Sequence, residues 1–291
     1  MTNVIRLLLI VFLACAGCRQ AHQERATSHA SNRPDAPVFL FDRAFITREH
    51  VAEAMAFEAE LAKRYAQPAP AGESWFDVLP GDAKVLVVAG HATQHMRDGS
   101  FKSQDGGSGG LAVMLNRLAG CPTIINRYQS PRDPNYYDDS DFKAALKEMI
   151  ERDKPVLVID IHGSSSGRPY DIDFGTVGGT SLLGQWDELE RLAGCLRREG
   201  MRNFSQDYFA ASRKGTVTRF VTGLGVPCVQ LEFNSSWLPQ PTGTPVDLIQ
   251  RQRVGQVIQG MVRFVEPHAN AARITALKRM RPTATTTTSL P

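Results

Sequence analysis

Seven histidines occur in the 291 residues, and three of them, His91, His95 and His162, follow uninterrupted apolar runs. Those runs, Val85-Leu86-Val87-Val88 and Val156-Leu157-Val158-Ile159, read as buried strands. Neutral imidazole is the commonest biological metal ligand, and a tetrahedral shell gathers its donors from separate elements. Histidines at two strand ends therefore predict a metal centre. His22, His29, His50 and His268 fall instead in a polar tether, an N-terminal helical segment or the C-terminal end.

Asp160 stands two residues before His162, so on an extended strand both side chains leave the same face. One can ligate while the other orients, because a ligating histidine normally passes its second N–H to a carboxylate or carbonyl. The competing reading is that both only bond loop backbone, but a charge ending so apolar a strand needs compensation. Asp105 opens the run Gly106-Gly107-Ser108-Gly109-Gly110 and is either a helix cap or a metal ligand. The glycines let the backbone approach a ligand closely or start a helix. Neither the P-loop nor the dinucleotide fingerprint is present, which argues against nucleotide binding. Glu232 ends the apolar stretch Val226 to Leu231, placed to act as a general base or to pair with a basic residue as structure. Arg127, Arg168 and Arg219 lie at or near strand or loop ends, where a guanidinium can clamp a substrate carboxylate. Arg168 is the preferred clamp.

These residues need a scaffold, and the pattern alternates strand with helix. Leu111 to Leu118 reads as a helix, Thr123-Ile124-Ile125 as a strand, and Ser140 as the cap of a helix bearing Phe142, Leu146, Met149 and Ile150 on one face. A longer helix carries a core stripe of Leu182, Leu183, Trp186, Leu189, Leu192 and Leu196 and ends at Gly200. Val217 to Val221 and Cys228 to Leu231 read as strands, and Val246 to Val265 as a closing helix. The prediction is one α/β domain, a mostly parallel mixed sheet with helices on both faces, with function at the carboxyl ends of the strands.

At 42% hydrophobic and 22% charged residues the chain can bury a sizeable core. A net charge of +3 with scattered basic residues gives no footprint for nucleic acid. Arg6 followed by the apolar run Leu7 to Leu13 reads as an export signal, too short for a bilayer core that needs about 20 residues. Ala16-Gly17-Cys18 is similar to the end of a bacterial lipobox, in which the cysteine is lipidated; ordinary cleavage leaving a plain thiol is the alternative. Cys121, Cys195 and Cys228 show no paired spacing, so buried apolar thiols are expected rather than a disulfide framework. The expected organisation is a signal peptide over 1–18, a flexible tether over 19–36, a catalytic domain over 37–270 and a disordered, threonine-rich tail over 271–291.

The ordered set Gly90-His91, Asn126-Arg127-Tyr128, Asp133-Pro134-Asn135, Asp160-Ile161-His162-Gly163 and Gln230-Leu231-Glu232 resembles the N-formylglutamate amidohydrolase family across residues 80–240. That family is similar in fold to zinc carboxypeptidases. The likeness implies one zinc ion held by His91 and His162, Glu232 as catalytic acid and base, and cleavage of an amide next to a carboxylate-bearing group. Carboxypeptidase-like enzymes often present His-x-x-Glu, and the residue three after His91 is Gln94. Asp105 is then the first choice for third ligand and His95 the second, with Asp160 and Gln94 behind the ligands or in place of one. Gly90 stands where the family usually has proline, and the family's substrate is not carried over. The expected protein is a zinc amidohydrolase or carboxypeptidase-like hydrolase, lipid-anchored in the bacterial cell envelope and facing the periplasm or exterior. Its expected substrate is a small molecule or peptide with a free carboxylate. A non-catalytic envelope lipoprotein using the same fold for binding is the alternative, and a hydrolase of polyglutamate-like polymers a third.

Overall fold

Strands made of uninterrupted apolar residues need cover on both faces, and that requirement sets the architecture. The computed structural model describes residues 44–240 and 248–279. In chain order the elements are α1 (Arg48–Ala62), β1 (Phe76–Leu79), β2 (Val85–Ala89), β3 (His95–Arg97), β4 (Ser100–Lys102), α2 (Ser108–Ala119), β5 (Thr123–Asn126), α3 (Asp141–Asp153) and β6 (Leu157–Ser164). There follow β7 (Ile172–Gly175), α4 (Trp186–Arg198), β8 (Phe204–Gln206), α5 (Val217–Gly223), β9 (Cys228–Asn234), α6 (Leu248–Val265) and α7 (Ala271–Arg279). Seven strands form one sheet in the order β1-β5-β2-β6-β9-β7-β8, while β3 and β4 pair separately. The central strands β5, β2, β6 and β9 are mutually parallel, and β1 and β7 run antiparallel to β5 and β9. This is the expected single α/β domain, and all described residues fall in one compact unit.

Alternation along the strands divides the core in two. Val85, Val87 and Ala89 of β2 enter a large cluster with α1, α2, α4 and α6, whereas Leu86 and Val88 enter a smaller one with α3 and α5. In β6 and β9 the residues Ile159, Ile161, Val229, Leu231 and Phe233 face the large cluster, and Val158 and Cys228 the smaller. The next positions on that smaller face are Asp160, His162, Gln230 and Glu232, where the apolar packing gives out. Hydrophobic patterning thus delivers four polar side chains to one place.

Three expectations about elements are corrected. Val217–Val221 belongs to helix α5: Thr216 caps it by accepting from the Arg219 amide, and Val217, Phe220 and Val221 pack at helical spacing on the smaller core. The helix predicted from Leu182 begins only at Trp186, because Leu183 and Gly184 take positive φ of 49° and 88° after a short 3-10 turn. Leu189, Leu192 and Leu196 are core, but Leu183 and Trp186 are exposed. Disorder from residue 271 is replaced by α7, whose Ile274 and Leu277 are buried in the large cluster. Cys121, Cys195 and Cys228 are free. No helix among the described residues is long and apolar enough to cross a membrane. The predicted signal peptide with Cys18, the tether and residues 280–291 lie outside the described residues.

Candidate metal centre

Three separate segments place the central donors. His91 lies just after β2, where a side chain at Gly90 would meet Pro134 Cβ at 3.1 Å. The Asp105 amide donates to the His91 carbonyl at 2.8 Å, tying the glycine-rich loop to that strand end. Gly107 opens α2 with φ of 91°, and a side chain there would come within 2.6 Å of Leu238 Cβ, so only glycine suits the turn. Since α2 has no side-chain cap, Asp105 is released from that alternative. His162 comes from β6 beside Glu232 of β9 in register.

The Asp105 Oδ2 atom lies 2.8 Å from His162 Nδ1 and 3.4 Å from His91 Nδ1. The far nitrogens meet other carboxylates: His91 Nε2 is 2.8 Å from Asp133 Oδ1, and His162 Nε2 is 3.1 Å from Asp160 Oδ2. Both rings therefore turn Nδ1 toward one shared oxygen and Nε2 toward a buried acid, the arrangement in which an outer carboxylate fixes a ligating imidazole. His91, Asp105 and His162 each offer a ligand atom, all within 4.8 Å of one another. A second grouping shares His91 and adds His95 and Asp133. Asp133 is already engaged there by Arg97 at 2.5 Å, which places a positive charge beside that alternative.

Electrostatics points the same way. Burial works against an ionised Asp105, but hydrogen bonds from His162 and His91 hold its carboxyl well below the usual range. Asp133 behaves alike: burial is outweighed by its hydrogen bond to His91 and by neighbouring charges. Burial also disfavours charge on His162, yet Asp160 and Asp105 raise its protonation well above the ordinary imidazole range. Asp160 keeps a buried oxygen, Oδ1, without a hydrogen-bond partner. Three carboxylates thus enclose two imidazoles, with Arg97 as counter-charge on one side, and this donor set draws positive charge, as protons on the imidazoles or as a bound cation. The residues fit a divalent ion held by two nitrogens and a carboxylate oxygen.

His91, Asp105 and His162 line a cavity of about 650 Å³ together with Glu232, Arg168, Arg97, Asn135, Tyr136 and Tyr208. Burial pushes Glu232 up to about 7, partly opposed by the charge of His162. A carboxyl balanced there can take and return a proton near neutral pH. The Arg168 guanidinium packs 5.4 Å from the Tyr208 ring centre and 5.0 Å from that of Phe209, donates to the Tyr208 hydroxyl at 3.1 Å, and leaves its buried Nε unpartnered. Asp173 holds those aromatic residues by accepting from the Tyr208 and Phe209 amides at 3.1 and 2.8 Å.

Other expected residues lie elsewhere. Arg127 lines a different cavity, beside Phe57 and Asp77, and pairs with Asp77 at 3.4 Å, because β5 delivers it to the far edge of the sheet. The Gln94 side chain accepts from Gln129 at 3.0 Å and does not line the His91 cavity. Arg219 is exposed on α5. His95 stacks flat on His91, with ring centres 3.7 Å apart, and burial with the neighbouring His91 charge lowers it to about 3. It backs His91 rather than joining Asp105 and His162. Asp133 and Asn135 were visible only as part of a motif, and Arg97, Tyr208 and Phe209 carried no sequence signal.

No protein-family model matches the chain, and no curated protein matches it in sequence. Among solved structures it is similar to an N-formylglutamate amidohydrolase from Ralstonia eutropha, at 15% identity over 67% of this chain and 99% of that one, with a TM-score of 0.48. A bacteriophage poly-gamma-glutamate hydrolase shares 12% identity over 67% of this chain and 92% of that one, with a TM-score of 0.43. A metallo-carboxypeptidase from Burkholderia cenocepacia shares 12% identity over 64% of this chain and 57% of that one, with a TM-score of 0.38. The first carries the name of the family that the motifs resemble. At such identities and TM-scores the function has to be read from this chain's own residues.

Proposed function

We propose that this chain is an exported zinc-dependent amidohydrolase, cleaving an amide bond next to a carboxylate-bearing group in an N-acyl amino acid or at a peptide end. The observation that carries the reading is the convergence of His91 Nδ1, His162 Nδ1 and the Asp105 carboxylate in a cavity that also holds Glu232 and Arg168. A mixed nitrogen and oxygen set of three protein donors suits catalytic zinc, which supplies Lewis acidity and water activation near neutral pH. Asp133 and Asp160 hold the imidazoles in orientation. Arg168, braced by Tyr208 and Phe209, takes the substrate carboxylate and so aligns the amide. Glu232 accepts a proton from the attacking water and delivers it to the leaving amine.

Metal analysis of the purified protein and of the His91→Ala and His162→Ala variants tests the site. One zinc per chain is expected in the parent and loss in both variants; equal retention in all three rejects the centre. Glu232→Gln should keep the metal and lose about 100-fold or more in turnover on a panel of N-formyl and N-acetyl amino acids and muropeptides. Unchanged turnover rejects its role. Metal without turnover on any substrate would favour the binding-only lipoprotein, whose sequence support was Gln94; Asp105 now supplies the carboxylate that Gln94 does not. Internal cleavage of polyglutamate would select the polymer reading. Arg6, the apolar run to Leu13 and Ala16-Gly17-Cys18 support work at the bacterial envelope from a lipid anchor at Cys18.

A further inference from the structure

Glu232 does not stand alone on its strand. Gln230 leaves the same face of β9, is buried, and donates from Nε2 to Glu232 Oε1 at 3.0 Å. Its Nε2 also reaches the Phe209 carbonyl at 3.5 Å, and its Oε1 accepts from Asn135 Nδ2 at 3.5 Å. Asn135 Oδ1 in turn accepts from the Val217 amide at 2.7 Å. A backbone N–H can only donate, so Val217 dictates which way Asn135 faces. Asn135 must then offer N–H to Gln230, and Gln230 must offer N–H to Glu232 and Phe209, both of which are acceptors. One backbone donor at the start of α5 thereby sets the sense of the whole chain.

The niche for Gln230 is built. Gly175 of β7 lies opposite it in the ladder, and a side chain there would meet Gln230 Cβ at 3.1 Å and the Phe209 carbonyl at 2.5 Å. Among the described residues Glu232 Oε2 receives no hydrogen bond, whereas Oε1 is held.

We propose that Gln230 is a positioning residue for Glu232: its amide fixes the rotation of the carboxylate, occupies Oε1 and dedicates Oε2 to proton transfer. This rests on the reading of Glu232 as the proton carrier. Without the donor, the carboxylate rotates and the proton-accepting lone pair loses its aim, which affects the chemical step rather than substrate binding.

The test uses the full chain loaded with zinc and the panel substrate that it turns over fastest. Gln230→Met keeps side-chain length but removes the donor, and kcat should fall about tenfold to a hundredfold with KM and bound zinc unchanged. Gln230→Glu keeps the shape but opposes one carboxylate with another, and kcat should fall further. A kcat within about twofold of the parent for Gln230→Met overturns the proposal. A rise in KM equal to the loss in kcat, loss of zinc, or loss of folded protein in both variants assigns Gln230 to the scaffold and overturns it equally. Failure of the underlying reading looks different: Glu232→Gln itself then keeps its turnover.

Discussion

At His91 and His162 the nitrogen facing away from the cavity shapes the site as much as the one facing in. Asp133 is fully buried, and its Oδ1 serves both His91 Nε2 and the Asn135 amide while Arg97 holds Oδ2. Losing the charge would leave His91 less basic and Arg97 without its partner. Asp133→Asn is therefore expected to weaken zinc binding about tenfold to a hundredfold while the fold persists, read by competition with a chelator. Unchanged affinity would reduce Asp133 to a loop constraint. Spacing could nominate His91, Asp105 and His162 as donor types on strand ends, but Asp133 arrives from the loop after β5 and its distance to His91 exists only in three dimensions.

Between elements, α1 reaches under α2 through Glu58. This buried carboxylate accepts from the Gly110 amide at 2.7 Å and from the Tyr65 hydroxyl, at the glycine-rich start of α2 just after Asp105. A side chain at Gly110 would meet the Ala54 carbonyl at 2.9 Å, which explains the close approach of the two helices. Burial raises Glu58 from 4.5 to about 7 against the opposing hydrogen bonds of Tyr65, Gly107 and Gly110. A raised folded-state pKa means that the folded chain binds the proton more tightly. The resulting stability is complete below pH 4.5 and is lost as pH rises through 7, a span worth about 3 kcal/mol. Burial lowers His91 and His162, yet neighbouring carboxylates raise both overall, so in metal-free protein they act in the same direction, as does Glu232, while His95, lowered to about 3, opposes them up to its ordinary value of 6.5. The urea midpoint of metal-free protein should fall from pH 6.5 to pH 8, and Glu58→Gln should flatten part of that fall. An identical pH slope in the variant would remove Glu58 from this account.

For the molecule as a whole, the folded unit is closed by α7, whose Ile274 and Leu277 seal the large core. The cleft lies on the opposite, smaller face with α3 and α5. A lipid at Cys18 would sit on a residue that is not among those lining the cleft. Cys18→Ala should move the protein from the detergent-extracted membrane fraction to the soluble envelope fraction without altering turnover. Retention in the membrane would reject a lipid at Cys18.

Legible in the sequence were the strands Val85 to Val88 and Leu157 to Ile159 and the Ser140 cap. So were His91, Asp105, Asp160, His162 and Glu232 as polar residues that the fold brings together, because burial on both faces leaves uninterrupted apolar runs and polar residues mark where they end. Val217 to Val221 misled because a run so short fits strand or helix until Thr216 and the core choose, and the tail misled because two buried apolar residues hardly alter its composition. The tertiary structure alone decided that Asp105 turns to the imidazoles, that Gln94 faces Gln129 and that Arg127 sits in another cavity. Those outcomes depend on how separate segments meet across the sheet. Local sequence specifies the type of each side chain and the face of its strand, and packing specifies its neighbours.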